Sequence, residues 1–317
     1  MQTLRLTDYY RQTPIHTPSI TLDTTRISSS LTPIAKQIDQ SAVDAKLTIA
    51  GNRATVFQQS RDGREVNIPA SAEAIRDSLS GAATTASLVI NVTKAQVNDA
   101  TIDQLGIHEL LSEGVTYFPG SSADRLTNVR VGQARYNNYL LKPDQIFSFG
   151  EILGEVGPEQ GYRPGYVILA DREEKAYGGG LCQVSSTAFR AALLAGLPIV
   201  ERVNHAFAIN YYTAPYGVPG VDATIYYPQV DFKFKNDTGS YILIQTEMVG
   251  TTLKFRYYGT KKKEGTIRGP FFVYGSNDAN QPSQTVFYRD VVVDGKVTKT
   301  DTFKTTYKSA LDFPVSD

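Results

Sequence analysis

Apolar positions along the chain change period several times, and the changes divide it. Residues 1–27 carry many Thr and Pro with weak periodicity and predict an arm or a lead-in strand. Leu31, Ile34, Ala35 and Ile38 then recur at helical spacing behind Ser28 to Ser30, which offer an N-cap, so a helix is predicted over 28–40. Alternation over 45–49, residues 54–57 and turns at Gly51-Asn52 and Asp62-Gly63 predict a hairpin. Pro69 near a first turn opens a helix over 68–79, and the β-branched run 87–92 reads as a strand. Residues 28–93 are therefore expected to form a small α+β domain. Residues 94–113, with a short helix over 95–105 and Gly106, form a junction.

Helical spacing returns over 125–141 and stops before Pro143, followed by a short strand over 146–149 and a glycine-rich connection through Gly154, Gly157, Gly161 and Gly165. A strand over 166–170 leads to three glycines at 178–180, and an apolar helix over 184–194 ends at Gly196-Leu197-Pro198. From Ala206 the period becomes two: 206–212, 222–227, 230–236, 240–248 and 252–259 read as strands, and 285–307 as a hairpin over Asp294-Gly295. The fold class expected is α+β. A central mixed domain (114–247) holds a cysteine-bearing helix against an antiparallel sheet, and a β-rich extension (248–317) follows it.

Composition narrows the function classes. The 317 residues are 41% hydrophobic and 20% charged, enough apolar material for real cores. Thirty-two basic residues balance 32 acidic ones, and the basic triplet Lys261 to Lys263 is too small for a nucleic-acid footprint, so no nucleic-acid partner is expected. No stretch reads as a secretory signal or a membrane span, which leaves room for a signal or anchor upstream of this sequence. One cysteine and three scattered histidines exclude a disulfide framework and metal-ligand spacing, so neither metal nor other cofactor is expected. Glu151, Glu155, Glu159, Glu173 and Glu174 sit in turn-rich segments where solvated charge is the norm, which disfavours a glycosidase carboxylate pair.

The segment with chemistry is Gly178-Gly179-Gly180-Leu181-Cys182-Gln183, a loop running directly into a helix with the sole cysteine at the junction. Unsatisfied N–H groups and the positive end of the helix dipole favour thiolate there, and the same N–H groups can hold an oxyanion. The Gly-Lys-Ser/Thr ending of a phosphate loop is absent. His205, 23 residues on, is the natural base, with Asn204 or Asp222 to orient its ring. The competing reading is a buried, inert cysteine and a structural histidine. Tyr211, Tyr212, Tyr216, Tyr226 and Tyr227 suit sugar or peptide binding, and equally plain sheet packing.

The string GGGLCQVSSTAFRAALLAGLPIVERVNHAF, followed by PGVDATIYYPQVDFKFKND, resembles the VanW family, named for an accessory protein of bacterial vancomycin-resistance clusters. The likeness covers residues 114–246. Residues 28–93 more weakly resemble the peptidoglycan-binding domain that often precedes a VanW domain. Two departures are local: Ala188-Phe189 where relatives commonly have Leu-Tyr or Leu-Phe, and Asn204-His205-Ala206 where many have a His-x-His-Ser segment.

The resemblance implies a bacterial cell-surface, extracytoplasmic protein. Some clostridial members are regarded as L,D-transpeptidases acting through the motif cysteine, a role that falls here on Cys182, with His205 as the family histidine. Cys182 would attack the amide between the third and fourth residues of a peptidoglycan stem peptide, with an acceptor amine or water completing the transfer. Gly179, Gly180, Gln183, Ser185 and Ser186 are the expected oxyanion or substrate side. Arg163, Arg190 and Arg202 are candidates to pair with substrate carboxylates. The alternative is a non-catalytic peptidoglycan-binding or scaffolding protein linked to glycopeptide response.

Overall fold

The computed structural model of the chain describes residues 23–50, 53–81, 83–95, 97–98, 104–169 and 172–313. The chain has an α+β fold with a β-rich C-terminal region, and it divides into two compact units, residues 1–45 with 60–97, and residues 46–59 with 98–317.

In the first unit, helix α1 (Thr24–Ile38) starts four residues earlier than its sequence predicts. Asp23 supplies the cap, its carboxylate accepting from the Thr25 N–H at 2.9 Å, while the hydroxyls of Ser29 and Ser30 bond back to the carbonyls of Thr25 and Arg26 inside the helix. The described end of the expected N-terminal arm is therefore helical, and residues 1–22 lie outside the described residues. Helix α2 (Ile68–Ser80) is capped by Asn67, whose Oδ1 accepts from the Ala70 N–H, and Pro69 lies in its first turn. Strands β3 (Gly63–Val66) and β4 (Ile90–Thr93) pair antiparallel. The predicted hairpin, β1 (Lys46–Ala50) and β2 (Arg53–Gln58), is assigned to the second unit, and most of the short helix expected over 95–105 falls outside the described residues.

The second unit is organised around helix α5 (Leu181–Leu194), most of whose side chains are buried. Against it lies a four-stranded antiparallel sheet in the order β5 (Glu109–Tyr117), β13 (Thr252–Gly259), β12 (Ile242–Val249), β6 (Tyr139–Leu141). Contact between helix and sheet is direct because Gly114 has no side chain: a Cβ there would lie 2.3 Å from the Thr187 carbonyl oxygen. Buried polar groups on this seam are paired, Ser112 with the Ala191 carbonyl, Thr116 with Thr187, and Tyr257 with the Ala188 carbonyl. A second sheet, β10 (Ile199–Glu201), β11 (Lys233–Lys235) and β7 (Ile146–Ser148), brings Phe147, Phe232 and Phe234 into the same core as Phe189 and Phe255. Helices α3 (Ala123–Ala134) and α4 (Phe149–Leu153), the hairpin β8 (Pro164–Leu169) with β9 (Arg172–Tyr177), and a third sheet β14 (Glu264–Tyr274), β15 (Ser283–Val293), β16 (Lys296–Tyr307) complete it.

Three expectations need correction. The helix predicted over 125–141 ends at Ala134, because Asn138 turns the backbone to φ 62° and residues 139–141 join the central sheet beside β12. Residues 206–212 and 222–227 are not strands; apart from isolated bridges at Phe207 and Tyr226 and a 3-10 turn at Asn210–Tyr212, they are irregular. The expected boundary after residue 247 cuts through β12, whose hairpin partner β13 also pairs with β5, so residues 248–259 complete the central sheet. The hairpin over Asp294-Gly295 stands as predicted, with both turn residues at positive φ.

Candidate active site

Gly180 is the N-cap of α5 with φ 108°, a torsion closed to most side chains, and a Cβ there would press on Arg125 Cγ at 2.9 Å. No side chain caps this end. The amides of Leu181 and Gln183 bond back to the carbonyls of Gly178 and Gly180, whereas among the described residues the Cys182 amide forms no backbone bond. The sequence expectation of free first-turn donors thus narrows to the nucleophile's own N–H, with the Gln183 amide already engaged. Cys182 is the second residue of the helix. Its half-buried sulfur forms part of the wall of a cavity of about 850 Å³.

His205 faces the same cavity, where its ring acts electrostatically on the Cys182 sulfur, and the Cys182 Sγ donates to the Ile225 carbonyl at 3.9 Å. Its Nδ1 lies 2.6 Å from Asp222 Oδ2, and the same oxygen accepts the His205 backbone N–H at 2.8 Å, so one carboxylate fixes both ring and backbone. The ring stacks on Tyr212 with centroids 4.8 Å apart. Tyr307 donates to the other Asp222 oxygen at 2.7 Å, and the Arg202 guanidinium lies 3.3 Å from it while also donating to the Asp222 and Gly220 carbonyls. Asp222 is 1% exposed, a buried carboxylate made tolerable by four donor contacts and two neighbouring cations when His205 is protonated. Asn204 does not orient the ring. Its amide donates to the carbonyls of His205 and Thr306, tying the loop to β16.

The electrostatics follow from these contacts. Burial opposes charge on all three groups. For Asp222, hydrogen bonding to His205 and the Arg202 charge outweigh burial and hold the carboxyl well below its usual range. For His205, burial lowers the ring, but hydrogen bonds to Asp222 and Cys182 and their charges raise it to about 9. For Cys182, burial pushes the thiol up, and the hydrogen bond and charge of His205, with a lesser contribution from Arg125, bring it net below the usual thiol range. Each shift supports the next, and the arrangement favours a thiolate–imidazolium pair.

The remaining sequence candidates sort by burial. Gly179 and Gly180 line the cavity. Gln183, Ser185 and Ser186 are fully buried and do not line it: both serine hydroxyls donate to the Ala223 carbonyl and Ser186 accepts the Ala223 N–H, anchoring the segment that carries Asp222. Gln183 Oε1 accepts from Arg125 at 3.0 Å. Arg163 is exposed and outside the lining, and Arg202 is committed to Asp222. Arg190 is 2% exposed and donates to the carbonyls of Val115, Tyr212, Ala214 and Val221. These placements leave none of the three arginines facing a substrate, because their donors are spent on backbone or on Asp222, or lie outside the pocket. The Arg190→Met protein, with four buried carbonyls stripped of a charged donor, is expected to lose about 3–5 kcal/mol of stability in urea unfolding. A loss below about 1 kcal/mol would show that water replaces the guanidinium.

Local sequence carried no sign of Tyr307, Thr305 or Arg125. Tyr307 and Thr305, which accepts from Arg202 at 3.1 Å, lie on β16, about a hundred residues beyond the histidine, so the C-terminal strands help to build the site. In the Tyr307→Phe protein Asp222 keeps only Arg202 on that oxygen. Stability is expected to drop by about 1.5–3 kcal/mol and alkylation of Cys182 at pH 6.5 to slow. An unchanged denaturation midpoint and rate would mean that the phenol is a bystander. Tyr211, Tyr212, Tyr226 and Tyr227 all line the cavity, the last two about half exposed. Among the described residues no group of His, Cys, Asp and Glu is placed to hold a metal, and no helix is long and apolar enough to cross a membrane.

Residues 124–258 match the family described as "VanW like protein", and residues 4–86 match the family described as "Putative peptidoglycan binding domain". The uncharacterized protein YoaR of Bacillus subtilis is 34% identical over 158 residues, half of each chain. The vancomycin B-type resistance protein VanW of Enterococcus faecalis is 29% identical over 117 residues, 36% of this chain and 42% of that one. The chain thus spans at most about half the length of these relatives. No solved structure matches it.

Proposed function

We propose, from its match to the VanW family over residues 124–258, that the chain is a cell-wall-associated, extracytoplasmic protein whose central domain is a cysteine acyl transferase acting on peptidoglycan stem peptides, in the manner of an L,D-transpeptidase. The observation that carries this reading is Cys182 and His205 together in the wall of a cavity, with the buried Asp222 carboxylate holding the histidine ring from behind. A cysteine kept only for packing needs neither a charged imidazole nor a buried carboxylate behind it, and burying those two charges costs stability that packing does not return.

In the proposed reaction the Cys182 thiolate attacks the amide carbonyl between the third and fourth residues of a stem. The carbonyl oxygen gathers negative charge beside the Cys182 N–H. Collapse breaks the C–N bond, the His205 imidazolium gives its proton to the departing amine, and a thioester to Cys182 remains with the fourth residue released. An amine of a second stem, or water, then adds to the thioester while neutral His205 takes its proton, and expulsion of sulfur restores the thiolate–imidazolium pair. Asp222 stays ionised throughout and compensates the imidazolium charge. The domain at the N-terminus is assigned to holding the enzyme on its polymeric substrate.

The test is incubation with a disaccharide-tetrapeptide fragment of peptidoglycan. Free terminal D-amino acid is expected to accumulate. A folded protein that releases none from any stem type would leave only a wall-binding role.

A further inference from the structure

Resting on the reading of Cys182 as nucleophile, we infer that Arg125 is the anchor for a free terminal carboxylate of the donor peptide, so that stems ending in a carboxylate, rather than amidated or extended ones, are the substrate class of this site. Arg125 is the third residue of α3 and lines the cavity with Cys182 and His205. Its two recorded hydrogen bonds go to neutral oxygens, Ser121 Oγ at 2.8 Å and Gln183 Oε1 at 3.0 Å. The ring of Tyr211 lies 4.5 Å and that of Phe118 5.5 Å from the guanidinium carbon. Among the described residues no carboxylate comes within ion-pair distance of it. A guanidinium has five N–H donors, and two bonds leave three unassigned.

A half-buried cation with only neutral partners forgoes the strongest interaction open to it, a bidentate bond to a carboxylate. Arg190 and Arg202 lack this freedom, since their donors are used by the fold. Lys175, the lysine of the lining, lies over the Tyr166 ring at 5.6 Å. Position follows from Gln183: it is the residue after the nucleophile, so the bond from Arg125 ties the guanidinium to the same helical turn as the sulfur. When the bond before the last residue is cut, the terminal carboxylate carbon lies roughly 3–4 Å from the scissile carbonyl carbon. A cation beside the sulfur can hold the leaving residue by that group, and the acidic residues Asp124 and Glu155 elsewhere in the lining disfavour it there.

Alkylation separates this inference from the reading beneath it. Iodoacetate carries a carboxylate bonded directly to the reacting carbon, and iodoacetamide is its neutral counterpart. With wild-type protein at fixed pH and ionic strength, the ratio of the iodoacetate to the iodoacetamide rate constant at Cys182 is expected to exceed that of Arg125→Gln about tenfold, with Arg125→Lys between them. A ratio unchanged in Arg125→Gln, with the iodoacetamide rate preserved, overturns the inference and leaves the nucleophile intact. A Cys182 inert to iodoacetamide in folded wild type strikes the nucleophile instead. Should Arg125→Gln fail to fold, protection of the wild-type thiol decides: D-alanine is expected to slow iodoacetamide and D-alaninamide not to, and equal effects of the two overturn the assignment.

Discussion

The Cys182→Ala protein is expected to lose release of the terminal D-amino acid from a tetrapeptide stem by about four orders of magnitude or more, the scale on which removing a covalent nucleophile acts. The substitution trims one atom from a half-buried position at the start of α5, and Gly180 still sets the loop, so the fold is expected to survive. Binding of the peptide is expected to persist, because the proposed contacts to the substrate lie elsewhere in the cavity. Activity measured by amino-acid release and affinity measured by calorimetry should therefore separate. Parallel loss of both would assign the cysteine to the architecture of the pocket.

The second large effect is in pH. An ordinary thiol is only about 1% ionised at pH 6.5. Hydrogen bonding and charge from His205 lower the Cys182 thiol, and the ring itself is raised to about 9 by Asp222 and the sulfur. The sign is fixed by which form each partner favours. The ion pair forms as pH rises through the lowered thiol value and is lost as pH rises further through about 9, where the imidazolium gives up its proton. The wild-type kcat/KM is thus expected to be bell-shaped, with its acid limb below the ordinary thiol range and its alkaline limb near 9; both limbs belong to the coupled pair. The His205→Ala protein returns the thiol toward its ordinary or a higher value. Its alkylation by iodoacetamide at pH 6.5 is expected to fall about tenfold or more, with the difference closing as pH rises. Equal rates for the two proteins at pH 6.5 would mean that the histidine does not ionise the cysteine.

Much of this site is written in short strings, and the rest is not. Three glycines ahead of a lone cysteine and an apolar helix report a backbone torsion and a helix start that any fold must respect, so Cys182 at the start of α5 is legible without coordinates. His205 is legible as the one histidine within reach. The choice between Asn204 and Asp222 is not, because both are near in sequence and only packing turns Asn204 toward β16 and Asp222 toward the ring. Tyr307 reaches Asp222 from β16, 85 residues away along the chain, and Arg202 reaches it from just past β10, contacts for which local periodicity carries no signal. Residues 206–212 and 222–227 look like strands because Ile and Tyr alternate there. In the fold several of those side chains line the cavity, and aromatic alternation alone cannot tell a sheet face from a pocket wall. The overrun of α3 past Ala134 has a similar cause: residues 135–138 turn the chain, with Asn138 at positive φ, and no Gly or Pro lies between Ala134 and Pro143 to announce it.

A thioester at Cys182 is the step on which the proposed function rests, and mass spectrometry can see it. Intact protein mixed with a tetrapeptide stem and quenched in acid within the first turnovers is expected to gain the mass of the acylating tripeptide, localised to Cys182 by peptide mapping and absent from the Cys182→Ala protein. Release of the terminal residue with no adduct in wild type, and at an undiminished rate in Cys182→Ala, would contradict it.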